Sequence, residues 1–133
     1  MSQAIEGRAE ELLKGKNFAT VSTLRPDGSV HAAPTWVDIQ DGLPVLNTAE
    51  GRAWPRNLER DPRVTLTVQN LENPYEYVTI RGRVAEQTTE GADEHIDSLA
   101  MKYMGQETYP LRQPGERRVI VRVDPEYVHV YPS

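Results

Sequence analysis

The stretch that decides the fold is "NFATVSTLRPDGSVHAAPTWVDI" (17–39). Its first third, "NFATVSTL", is rich in β-branched residues. "RPDG" (25–28) follows, with proline at the second and glycine at the fourth position of a turn. "SVHAAPTWVDI" (29–39) then reads as the return strand, so the segment predicts a β-hairpin. Pro34 interrupts that return strand. A proline lacks the N–H a ladder needs, so it marks a sheet edge or a bulge. Such distortions free backbone groups for a ligand, which makes Pro34, Thr35 and Trp36 candidate site residues. The alternative is a barrel-edge irregularity with Trp36 in the core.

Working outward, residues 3–14 carry an apolar stripe of Ile5, Ala9, Leu12 and Leu13, and predict a helix ending at Gly15. After a turn at 40–42, "LPVLNT" (43–48) predicts a third strand, and a short helix near 52–60 ends before Pro62. "RVTLTVQN" (63–70) alternates strictly, as a half-buried antiparallel strand does. "YEYVTIRGRVAEQ" (75–87) is a long strand. Residues 90–104 place Ala92, Ile96, Leu99 and Tyr103 on one helical face, capped by Gly105. An irregular loop spans 106–116, and two strands follow at 117–123 and 126–131. The order predicts one domain over 1–133, mainly β with flanking helices: a barrel or closed sheet of mostly antiparallel strands. No βαβ alternation and no G-x-G-x-x-G motif argue for a Rossmann fold.

Composition narrows the function. The chain has 133 residues, a hydrophobic content of 38% and a formal net charge of −5. A core of this size is modest, and burying a further face in a homodimer would help it. The acidic balance argues against a general nucleic-acid binder, including a role for Arg81 and Arg83. With no cysteines, there is neither a disulfide framework nor a thiolate metal site, which fits a cytoplasmic protein. The polar N-terminus has no apolar core of a signal peptide, and no apolar run suits a membrane span. His31, His95 and His129 lack metal-ligand spacing, so no metal site is expected. The serines sit in no nucleophile motif and no acidic pair stands out, so no catalytic side chain is assigned. If the chain is an enzyme, a cofactor carries the chemistry.

"NTAEGRAWPRNLERDP" (47–62) is the other candidate site. A helix N-terminus attracts anions, Pro55 suits a first turn, and Gly51 permits close backbone approach. Thr48 offers a hydroxyl, Arg52 and Arg56 offer guanidinium forks, and Asn57 could order the loop. The alternative is a solvated helix whose arginines are neutralised by Glu59 and Asp61. Trp54 is either a buried plug or a stacking platform. Tyr75, Tyr77, Tyr109 and Arg112 are further candidate contacts.

Taken together, 18–37, 46–68, "NPYEYVTIRGRV" (73–84), "HIDSLAMKYMG" (95–105) and "PGERRVIVRV" (114–123) resemble the flavin and deazaflavin oxidoreductases of the pyridoxamine 5′-phosphate oxidase-like split-barrel superfamily. The resemblance is strongest to the branch using coenzyme F420, a deazaflavin. It implies a split barrel of six or seven strands and a homodimer with two cofactor sites at its interface. It implies cofactor-phosphate contacts from Thr48, Arg52, Arg56 and Asn57, and ring contacts from Pro34, Thr35 and Trp36. Many deazaflavin-binding relatives carry a lysine where this chain has Trp54, so FMN is the alternative cofactor. The implied reaction is hydride transfer between the cofactor and a small electron-poor acceptor such as an enone or quinone. A non-catalytic cofactor-binding protein is the reading from another class.

Overall fold

A computed structural model describes residues 3–132. Helix α1 (Arg8–Lys14) leads into β1 (Ala19–Leu24), β2 (Val30–Thr35), β3 (Val37–Gln40) and β4 (Leu43–Ala49). Helix α2 (Ala53–Arg60), β5 (Arg63–Gln69), β6 (Tyr77–Thr88), α3 (Ala92–Met104) and β7 (Arg118–Tyr131) complete the chain. All seven strands join one antiparallel sheet in the order β2-β1-β5-β6-β7-β4-β3.

That order contains the architecture. The two edge strands, β2 and β3, are consecutive in the chain and separated only by Trp36. One edge pairs with β1 and the other with β4. A single residue cannot span an open sheet, so the sheet curls until its two edges meet at Trp36. The result is the split barrel, and the expected single strand over 29–39 is in fact two strands with a break at 36.

The hairpin turn is as its sequence dictates. Gly28 has φ 85°, Arg25 accepts from the Gly28 N–H at 2.9 Å, and Asp27 accepts from both the N–H and the hydroxyl of Ser29. Helix α1 is shorter than expected because Gly7, at φ 60°, breaks it. Residues ahead of it run along β7 instead, where Gln3 donates to the Pro125 carbonyl and accepts from the Val128 N–H. The last two expected strands form one. Pro125, in the gap expected between them, lies at a bulge: Arg81 pairs with Tyr127 but Gly82 with Pro125, leaving Glu126 extra.

The barrel interior is filled by alternate residues of the strands, including Val21, Leu46, Leu66, Ile80 and Val121. Leu12 and Leu13 of α1 and Trp54 and Leu58 of α2 close it. Helix α3 lies outside, where Ala92 packs on Val45 and Ile120. Even-numbered residues of β4 thus face the barrel, and odd-numbered ones face α3.

Glycine at 82 is required by a close approach. A Cβ there would lie 2.1 Å from the Asp124 carbonyl oxygen, a backbone atom that cannot move aside alone. Gly82→Ala is therefore expected to force β6 from β7 and lower stability by about 2 kcal/mol or more. Denaturant titration measures this, and a loss below about 0.5 kcal/mol would contradict the close approach.

Candidate functional site

A cleft of about 480 Å³ lies outside the barrel, against the break between β2 and β3. Pro34, Thr35 and Trp36 form one part of its wall, and Arg52 at the N-cap of α2 another. Asn47 and Arg118 line it from β4 and β7. Phe18, Ile96, Tyr109 and Leu111 supply its apolar surface. Its volume falls in the range of small-molecule sites.

Helix α3 fixes the break. Lys102 Nζ donates to the carbonyls of Leu13 and Val37, both at 2.7 Å. Tyr103 Oη donates to the Asn17 carbonyl at 2.6 Å and accepts the Val37 N–H at 3.2 Å. Its ring stacks on Trp36, centroids 5.1 Å apart and planes 3° from parallel, while Tyr109 meets Trp36 edge-on at 5.8 Å. Burial pushes the Lys102 ammonium down to about 8 and the Tyr103 phenol up to about 12.

A buried polar chain supports the other wall. Arg118 is 4% exposed; its Nε donates to Asn47 Oδ1 at 2.9 Å, and Nη1 pairs with Glu116. Arginine only donates, so it fixes the Asn47 amide with its oxygen toward Nε. Asn47 Nδ2 then donates to the Ala92 carbonyl at 2.9 Å and to His95 Nδ1 at 3.0 Å. His95 is thereby neutral with its proton on Nε2, which is buried without a hydrogen-bond partner. Burial chiefly drives its pKa down to about 4, with Arg122 and Arg118 adding to the effect and Asp38 opposing it. Burial pushes the Glu116 carboxyl up, but hydrogen bonds from Arg118 and the Gln113 N–H outweigh it and hold it below its usual range.

The expected site residues divide. Pro34, Thr35, Trp36 and Arg52 come together on the cleft. Thr48 does not join them: it is on the barrel side of β4, and its buried hydroxyl has no hydrogen-bond partner. Trp54, 6% exposed, is a plug in the core, so the structure has the first of its two readings. Asn57 is buried and donates to Thr23 Oγ1 at 3.1 Å, tying α2 to β1. Arg56 opens onto two other grooves beside α2. Arg60 binds the Leu24 carbonyl.

Nor does the helix neutralise itself. Asp61 pairs with Arg63 at 2.8 Å, and hydrogen bonds from Arg63 hold its carboxyl down at about 2. Among the described residues, Arg52 and Arg56 have no carboxylate within ion-pair distance. Of the loop candidates, Tyr109 reaches the cleft, whereas Arg112 clasps Asp93 and Asp97 of α3 at 2.7 and 3.1 Å. Tyr75 is exposed and Tyr77 stacks on Tyr131. Arg118 and Asn47 were missed by the sequence reading. The signal for Arg118 was its alternation with Val119, Val121 and Val123, which turns it to the face opposite the core. No metal-binding cluster occurs among the described residues, and no helix among them is long and apolar enough to cross a membrane.

A curled antiparallel barrel broken at its seam, with a ligand-sized cleft outside the break, defines a split-barrel protein. The chain belongs to the pyridoxamine 5′-phosphate oxidase family, whose profile matches residues 5–131. Among solved structures it is similar to an F420 reductase, at 24% identity and TM-score 0.79 over 90% of this chain and 94% of that one. It also resembles a conserved hypothetical protein from Mycobacterium tuberculosis (23% identity, TM-score 0.72, 98% and 87% covered). A putative pyridoxamine 5′-phosphate oxidase from Listeria innocua is a third likeness (16%, 0.69, 92% and 94%). No curated protein matches the sequence.

The buried histidine sets a pH dependence. Its folded pKa, about 4, lies below the ordinary value of 6.5, so the unfolded chain binds more protons between those values. Stability is full above pH 6.5 and falls as pH drops toward 4, by roughly 2–3 kcal/mol from this group alone. His95→Asn keeps an acceptor for Asn47 and cannot titrate. It should flatten this part of the stability curve in denaturant titrations at pH 4–7, and an unchanged slope would contradict the assignment.

Proposed function

We propose that the chain is an oxidoreductase that holds coenzyme F420 in the cleft and transfers hydride between it and a small electron-poor acceptor, such as an enone or quinone. The observation that carries this reading is the meeting of Pro34, Thr35 and Trp36 with Arg52 on one cleft. These come from two separate stretches, one suited to a planar ring and one to an anion. The residues fit the cofactor: an apolar surface with one uncompensated guanidinium suits a flat ring bearing an anionic tail.

When bound, a reduced deazaflavin supplies the hydride. The protein's part is to bind, orient and exclude water. Arg52 holds the anionic end. The Pro34–Trp36 backbone flanks the ring, with Trp36 kept in place by Tyr103. Phe18 and Leu111, both exposed at the cleft, are apolar surface for a second copy to cover, consistent with a homodimer sharing the site. Thr48, Trp54 and Asn57 act from behind, by shaping α2 and its approach.

FMN is the second reading, and Trp54 favours it. The resemblance implies a lysine at this position in many deazaflavin-binding relatives, and a tryptophan plugged into the core gives no cationic contact to an acidic tail. Titrating the protein with F420 and with FMN, followed by fluorescence, separates the two. Micromolar or tighter F420 binding without FMN binding is expected, and the reverse would sink the F420 reading. Arg52→Ala is expected to weaken F420 about 10- to 100-fold, the loss of one charge-assisted hydrogen bond. Unchanged affinity would remove Arg52 from the seat.

A further inference from the structure

The sequence offered Arg52 and Arg56 as the two cations of an anion seat. Arg56 opens away from the cleft that Arg52 lines. A different arginine shares that cleft. We propose that Arg118 is the second cation of the seat, so that the anionic group of the ligand is gripped by Arg52 from the α2 turn and by Arg118 from β7. This rests on reading the cleft as the site of a phosphorylated cofactor.

The register places the two arginines together. Arg118 pairs with Ala49 across the β4–β7 ladder, and the Arg52 N–H donates back to the Ala49 carbonyl at 3.3 Å. Both side chains line the same cleft. They differ in preparation. Arg52 is exposed and has no carboxylate within ion-pair distance. Arg118 is buried and held on three sides: Asn47 takes Nε, Glu116 takes Nη1, and the guanidinium carbon lies 5.2 Å from the centroid of the Tyr109 ring.

Asn47 is itself locked by Ala92 and His95. Two shells of hydrogen bonds thus fix one guanidinium, and its remaining edge, Nη2, is the part left for a ligand. Such support is what a preorganised binding group requires. As a stabilising device alone it is weak, because desolvating a buried ion pair offsets most of its attraction. Glu116 does not cancel the seat, since it pairs with Arg118 alone and leaves the charge of Arg52 in place.

The test compares ligands that differ by a phosphate: FMN with riboflavin, and F420 with its phosphate-free deazaflavin core. Dissociation constants come from fluorescence titration of the full chain. Arg118→Lys keeps a charge, but Glu116 would take that single ammonium and leave none for the ligand. It is expected to weaken the phosphorylated ligand tenfold or more and the phosphate-free one less than twofold.

Arg118→Gln combined with Glu116→Gln leaves no unpaired buried charge and should show the same selective loss. Thermal unfolding confirms that both variants fold. Equal weakening of both ligands of a pair would make Arg118 merely structural and overturn the proposal, as would an unchanged phosphate preference. The cofactor reading fails separately. If FMN alone binds, with an Arg118-dependent preference, the seat stands and F420 falls. If F420 binds with no dependence on Arg118, the cofactor stands and the seat falls. If neither pair binds, both fall.

Discussion

The whole molecule depends on one residue of chain, Trp36, joining the two edges of the sheet. Seven strands in the order found would form an open sheet if β2 and β3 were linked by a long loop. With one residue between them, closure is imposed by chain geometry. Closure brings the two edge strands to one seam without pairing them to each other. It also distorts the backbone at the seam. Pro34 fits there because its missing N–H is tolerated at an edge. Lys102 and Tyr103 then satisfy the Val37 carbonyl and N–H. The cleft lies on this seam, and α2, α3 and the 106–116 loop supply more of its wall.

A second constraint is polar. The outer face of β4 and β7 carries Asn47 and Arg118 beneath α3, where water is largely excluded. Each donor and acceptor there is matched in sequence from Glu116 through Arg118 and Asn47 to His95 and the Ala92 carbonyl. The matching decides the amide orientation and the histidine tautomer. It ends at His95 Nε2, which is buried with no hydrogen-bond partner. Low local polarity strengthens the satisfied bonds and penalises the charged form of that ring.

Much of the fold was legible because local signals agree with the global structure. The "RPDG" turn with Gly28 at positive φ, the alternation at 63–69 and the cap at Gly105 follow from conformational preference alone. The two strands expected at 117–123 and 126–131 are one, because a bulge and a strand end look alike in sequence; only the pairing of Pro125 with Gly82 tells them apart. Gly7 delayed the start of α1 because its positive φ overrode an apolar stripe that still buries Ile5. Half the candidate site was legible. Pro34 and Arg52 carry their own chemical signal. Arg118 carries none until β4 and β7 are in register, because its place on the cleft depends on pairing with Ala49, 69 positions away. Trp54 and Asn57 read as ligand contacts by motif position, yet the helix turns them inward, a matter of rotation that short helices leave unspecified.

The fastening of α3 has a consequence for divergence. The hydrogen bonds of Lys102 and Tyr103 go only to main-chain atoms, those of Leu13, Asn17 and Val37. The side chains at those three receiving positions are therefore under no demand to be recognised. Two anchors on one helix can hold the seam while the barrel around it exchanges almost every residue. A structure fastened in this way can drift far in sequence without reopening.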